Sequence, residues 1–128
     1  MKTKGFLLDT TALIDFFRGR RQLIELLNKL TEEAPLAACP ITVSEVFSGV
    51  RPGELLKVEE FLEALEFYPI SYKASRQAGL YRRAYQKKGI SLSLSDTLIA
   101  SVAIENSLTL VTNNLRHFPM NELPVIEH

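Results

Sequence analysis

Phe6-Leu7-Leu8-Asp9-Thr10-Thr11-Ala12-Leu13-Ile14 carries three apolar residues straight into an aspartate, then two threonines, then the start of an apolar helical pattern. A short continuous apolar run reads as a buried strand. Asp or Thr just before an apolar-periodic stretch reads as a helix N-cap. The stretch therefore predicts a first, central strand with Asp9 at its carboxyl end. In open parallel sheets ligands bind along that edge. Asp9 is accordingly the candidate anchor of an acidic, metal-holding site to which later parts of the chain bring further ligands.

Working outward, Ala12, Leu13, Phe16 and Phe17 lie at helical spacing, so a short helix is expected over Thr11 to Phe17, broken by Arg18-Gly19-Arg20-Arg21. Leu23, Ile24, Leu26, Leu27 and Leu30 give a second, amphipathic helix ending near Glu33. Leu36 to Ile41 is the second candidate strand, with Pro40 fitting only at its exit because proline cannot donate to a ladder. Thr42 or Ser44 is expected to cap a helix carrying Val43, Val46, Phe47 and Val50, which puts Glu45 in its first turn. Pro52-Gly53 is a break, and Leu55 to Leu65 is a further helix. Phe67 to Ile70 is a short third strand, and Lys73 to Lys88 is helical with Gly89 as its C-cap. Lys73, Arg76, Arg83 and Lys87 fall on the face opposite Ala74, Ala78, Tyr81 and Tyr85. Ser95 is expected to cap a buried helix with Asp96 in its first turn. Leu108 to Val111 is a fourth strand, ending in Thr112-Asn113-Asn114; a short turn through Arg116-His117-Phe118 and a last edge strand over Leu123 to Ile126 follow. Strands alternating with helices predict an α/β fold, a parallel β-sheet of four to five strands flanked by helices on both faces.

At 128 residues the chain has the length of one domain, residues 1–128, and a chain of this size buries roughly two-thirds of its unfolded surface. Fifteen basic and fifteen acidic residues balance, so net charge points to no partner. A single Cys39 excludes an intramolecular disulfide and fits a reducing compartment. No apolar stretch approaches the roughly 20 residues a membrane span needs, and the apolar run after the basic N-terminus is too short for a signal peptide. A cytoplasmic protein with no membrane partner is the expectation.

Asp9, Glu45 and Asp96 each stand where an apolar element begins or ends, so the three can converge above one sheet edge. Alone, Asp9 reads as a helix cap, Asp96 as a first-turn acid and Glu45 as a solvated helix residue; jointly they suit a hard cation such as Mg²⁺ or Mn²⁺, which takes oxygen ligands in an octahedron. Such a cation lowers the pKa of bound water and supports in-line displacement at phosphorus. Other aspartate chemistries fit less well. A haloacid-dehalogenase-like transferase needs a second aspartate where Thr11 stands, and a phospho-receiver domain needs an acidic pair and a late lysine that are missing. There is no Gly-x-Ser-x-Gly elbow, no phosphate-cradling glycine loop, and only His117 and His128 for histidine chemistry.

Four blocks complete the reading: Leu8 to Asp15, Ile41 to Val46, Leu94 to Ala100, and Leu110 to Phe118. In this order and spacing they resemble the PIN-domain ribonucleases, above all the VapC-type toxins of prokaryotic toxin–antitoxin pairs. The resemblance covers essentially the whole chain. It implies a PIN-like sheet with Mg²⁺, or Mn²⁺ in its place, held by Asp9, Glu45 and Asp96 as metal-binding and catalytic residues that cut RNA through a metal-activated water. It implies auxiliary roles for Thr11, Thr112, Asn113 and Asn114, a cognate antitoxin whose tail covers the acidic groove, and a homodimer. One departure stands out: many members carry a fourth acid where this chain has Asn114, which puts a second tightly bound metal in question. Because the chain is neutral, RNA contact falls to local basic groups, with Arg18, Arg20, Arg21 and Arg116 the candidates and the Lys73 to Lys87 stripe read as a solvated face. The competing reading is a PIN-like interaction module that acts only by binding a partner.

Overall fold

The structure is a computed structural model describing residues 2–128. Its strands are β1 (Phe6–Leu8), β2 (Leu36–Ala38), β3 (Glu66–Phe67), β4 (Thr109–Thr112) and β5 (Val125–Glu127), all pairing in parallel in the order β3-β2-β1-β4-β5. The helices are α1 (Thr10–Phe17), α2 (Arg21–Leu30), α3 (Pro40–Ser48), α4 (Leu55–Glu63), α5 (Tyr72–Lys87) and α6 (Leu94–Glu105), with a 3₁₀ turn at Leu115–His117. The expected α/β architecture is present, with five strands and a helical layer on each face.

The two layers follow from the strand period of two. In β1, Leu7 points to one face with Ala37 of β2 and Leu110 of β4, where they pack on Ala74 of α5 and Ile99, Ala100 and Ala103 of α6. Phe6 and Leu8 point to the other, where with Val111 they meet Leu13 of α1, Leu23 and Leu27 of α2, Val46 of α3 and Val58 of α4. A strand buried on both faces must be apolar at every position; the Phe-Leu-Leu run meets that demand.

The chain lays down β1, β2 and β3 toward one edge, then crosses back to place β4 and β5 on the far side of β1. The reversal point lies between β1 and β4. The connections leaving their carboxyl ends diverge there and open a crevice. Asp9 follows β1 and Thr112 ends β4, so the two residues flank that crevice.

Several boundaries differ from expectation, each for a local reason. The second strand stops at Ala38 and Pro40 opens α3, because proline at N1 loses only an N–H that no helical carbonyl would accept. Cys39, not Thr42 or Ser44, is then the N-cap; Thr42 sits at N3 and accepts a hydrogen bond from the Cys39 N–H at 3.3 Å. Glu45 consequently lies in the second turn of α3, not the first. The third strand is only Glu66–Phe67, the fourth shifts to Thr109–Thr112, and the last to Val125–Glu127. Ser93, not Ser95, caps α6, with Asp96 in the first turn as expected. Lys73, Arg76, Arg83 and Lys87 are exposed on α5, and Gly89 takes φ +81° just past that helix. Cys39 is buried, and burial pushes its thiol up, which makes it an inert core residue. Among the described residues no helix is long and apolar enough to cross a membrane.

Candidate active site

Asp9 is the N-cap of α1 and only 3% exposed. Its Oδ1 accepts the Ala12 N–H at 2.8 Å and the Thr11 hydroxyl at 2.7 Å. Its Oδ2 accepts the Thr112 hydroxyl across the β1/β4 crevice. Three of the four lone-pair positions of the carboxylate are thereby used. Among the described residues no Lys or Arg pairs with it. Burial drives its carboxyl above the ordinary 3.8, against the pull of the hydrogen bonds from Thr112, Ala12 and Thr11 and of the His128 charge. A buried carboxylate with three neutral donors, no Lys or Arg partner and one open lone-pair position is under-compensated.

Asp96 rises from the first turn of α6, its N–H capped by Ser93 Oγ at 3.1 Å. Its side chain is 22% exposed, and Oδ2 lies 3.2 Å from His117 Nδ1. Burial raises its carboxyl above 3.8; the Ser93 hydrogen bond and His117 lower it, while the charge of Glu45 pushes it further up. Ser93→Ala removes the cap and is expected to cost about 1 kcal/mol, read as a lower urea midpoint at unchanged slope. Glu45 is exposed on α3, with Oε1 accepting the Thr10 hydroxyl. Glu45 and Asp96 thus feel one another as like charges, the arrangement a cation between them would relieve.

The donor chemistry is all hard oxygen, the kind Mg²⁺ and Mn²⁺ take. Among the described residues, however, no three acidic, histidine or cysteine side chains stand together as a ready-made metal cage. The structure brings Thr11 and Thr112 onto Asp9 and sets Glu45 within electrostatic reach of Asp96, and it leaves the three carboxylates short of a closed set.

The auxiliary residues divide. Asn114 donates its backbone N–H to Thr112 Oγ1 at 2.9 Å, which holds the hydroxyl that in turn holds Asp9. The Asn113 N–H lies 3.4 Å from Thr11 Oγ1, but its side chain turns away and donates to Asp15 Oδ2 at 3.1 Å. The arginines do not form one patch. Arg20 Nε pairs with Asp15 Oδ1 at 3.1 Å, and Arg21 lines a cleft beside that pair. Arg18 lies on a separate groove with Ile14, Phe17 and Val46. Arg116 is exposed in the 3₁₀ turn next to His117.

Four residues near the site escaped the sequence reading: Thr10 on Glu45, His117 on Asp96, and Asp15 with His128 beside Asn113. Asp15 carried a usable signal, an acid among apolar residues on the helix that Asp9 caps. It is 8% exposed. The two histidines gave none, because their placement depends on where the chain returns after β4.

Comparison with known proteins bears on the fold and the family. Residues 6–121 match the PIN domain family. The chain is 34% identical over 115 residues to ribonuclease VapC19 of Mycobacterium tuberculosis, covering 89% of this chain and 92% of that protein. The chain belongs to the PIN-domain family, among the VapC ribonucleases. The fold also superposes on the VapBC2 structure from Rickettsia felis, bound to a promoter DNA fragment, with a TM-score of 0.84 at 26% identity over 96% of this chain and 98% of that one. A toxin–antitoxin complex from Klebsiella pneumoniae matches with a TM-score of 0.79 at 28% identity over 94% of each chain. VapC kinship therefore spans the sheet and all the elements that carry Asp9, Glu45, Asp96 and Thr112.

Proposed function

We propose that this VapC-family chain is a Mg²⁺- or Mn²⁺-dependent endoribonuclease, the toxin of a toxin–antitoxin pair, with its site at the β1/β4 crevice. Its kinship with the VapC ribonucleases supports the activity. The observation that carries the site is Asp9: buried, held by three neutral donors, without a Lys or Arg partner among the described residues.

In this reading Asp9 and Asp96 hold the cation, and Glu45 adds a third carboxylate. A bound cation would supply charge for the scissile phosphate and a lower pKa for an attacking water. The protein residues do the rest. Thr112 and Thr11 fix both oxygens of Asp9, so that it need not reorganise when RNA arrives. The Asn114 N–H fixes the Thr112 hydroxyl. The first N–H groups of α1 lie where a phosphate is favoured. Asn114 brings an amide where a fourth charge would tighten a second metal, which fits a single-cation site.

The antitoxin and a second copy of the chain are the further partners this reading implies. The groove of Ile14, Phe17, Val46 and Val58 suits an apolar antitoxin segment. The alternative, a PIN-like module that binds without cutting, draws on one observation: the three carboxylates are not closed into a cage. Cleavage separates the two. The purified protein is expected to fragment single-stranded RNA in Mg²⁺ or Mn²⁺ and to stop when EDTA is added. Intact RNA under both metals would leave the binding module as the answer.

A further inference from the structure

A second polar cluster lies beside the crevice and takes no part in the chemistry above. Asp15, on α1, is buried and receives Arg20 Nε at 3.1 Å and Asn113 Nδ2 at 3.1 Å, with His128 Nδ1 4.0 Å away. Next to it is a cleft of about 540 Å³ lined by Asp15, Arg20, Arg21, Asn113, His128 and the first turn of α2, within the about 300–1,000 Å³ of ordinary ligand sites.

Three features of this cleft call for an anion. The N-terminus of α2, a ten-residue helix, has no side-chain cap, and its first residues Arg21, Gln22 and Leu23 line the cleft. The His128 side chain is 9% exposed, and its Nε2 is buried without a hydrogen-bond partner. Arg20, clamped through Nε, keeps its remaining guanidinium donors for another acceptor, and Arg21 adds a second cation. The cleft also touches the catalytic crevice, through the Asn113 N–H at 3.4 Å from Thr11 Oγ1 and the Thr11 hydroxyl on Asp9.

We propose that the cleft between the N-terminus of α2 and His128 binds a backbone phosphate of the RNA strand next to the one cut at Asp9. Asp15 is its positioning residue: it aims Arg20 into the cleft and ties Asn113 to its wall. The inference rests on the ribonuclease reading and adds a location for the neighbouring nucleotide. Leu23 and Leu26 supply an apolar wall for its base or sugar.

The test is binding of a short fluorescein-labelled single-stranded RNA in EDTA, followed by anisotropy over a salt series. Arg20→Gln and Arg21→Gln are each expected to raise Kd about three- to tenfold and to flatten the salt slope by about 0.7, one phosphate contact on a single strand. Asp15→Asn gives a sharper readout because two effects oppose each other. Removing an acid makes the surface more positive, so plain attraction predicts tighter binding, whereas a lost clamp on Arg20 predicts weaker binding. Weaker binding is expected. Tighter binding by Asp15→Asn overturns the positioning role, and unchanged Kd and slope in both arginine variants overturn the cleft. Both arginines are exposed, so those variants keep the test open should Asp15→Asn fail to fold. Wild-type protein that leaves RNA uncut in Mg²⁺ or Mn²⁺ removes the ribonuclease reading itself; RNA cut by a protein whose binding is indifferent to all three substitutions removes only this cleft.

Discussion

Asp9→Asn is expected to slow RNA cleavage by about 10²–10³-fold, about 2.7–4 kcal/mol, as when a preorganised charge-stabilising group is removed from an active site, while leaving the fold intact. The substitution separates two roles that one side chain performs. As a helix cap, Asn is the equal of Asp, and its carbonyl oxygen can still accept the Ala12 N–H and the Thr11 hydroxyl. Its amide would face Thr112, whose hydroxyl can rotate to accept instead of donate. The buried charge disappears, and burial already disfavours that charge. Structure alone therefore predicts a melting temperature equal to that of wild type or above it. The metal reading predicts a large loss of rate at that unchanged melting temperature. Single-turnover cleavage and a thermal melt on the same preparation decide between them. A variant that cuts as fast as wild type would reduce Asp9 to a cap.

The contrast between cap and catalyst also explains what the sequence could and could not reveal. Phe6-Leu7-Leu8 marks a doubly buried strand because both of its faces demand apolar residues, and Asp9 follows directly from where that run stops. Asp96 is legible for a similar reason: a short-range rule about helix first turns puts it there, although the capping serine is Ser93 and not the expected Ser95. Ser93 and Ser95 flank Leu94 with the same chemistry, and only the backbone decides which one is non-helical. Proline misplaced α3 in the same way. Local rules fit Pro40 at the exit of a strand, whereas it opens a helix, and that moves Glu45 from the first turn to the second.

What the sequence hid is long-range. The Thr112 bond to Asp9 spans 103 residues and the Asn113 bond to Asp15 spans 98. No local pattern encodes either; both depend on β4 crossing back to lie beside β1. The arginines illustrate the limit most clearly. Arg18, Arg20 and Arg21 are neighbours in sequence and read as one basic patch, yet the tight turn sends Arg18 to the apolar groove and Arg20 and Arg21 to the Asp15 cleft. Proximity in sequence is a poor guide across a turn, where each residue points in a new direction.

Magnesium or manganese at about ten times its Kd is expected to stabilise the protein by about 1.4 kcal/mol, raising Tm by about 5 °C for a domain of this size. The increment should depend on pH in a way that identifies the carboxylates. Asp9 and Asp96 have folded-state pKa values raised above the ordinary 3.8, in both cases chiefly by burial. A raised acid is favoured in its protonated form by the fold. Its stabilising contribution is therefore complete below the unfolded pKa and is lost as pH rises through the folded one. Without metal, these two groups should make the protein less stable as pH climbs from about 3.8 through their raised values. A cation acts in the opposite sense, since it binds the ionised carboxylates and competes with the protons. The metal-induced rise in Tm should be full at neutral pH and shrink as pH falls through that window. Asp96→Asn should cut the increment and weaken its pH dependence, because one of the two titrating ligands is gone. A melt at neutral pH indifferent to millimolar metal would mean that the Asp9 carboxylate tolerates its burial through Thr11, Thr112 and Ala12 alone, and the crevice would then be a binding surface with no hydrolytic centre.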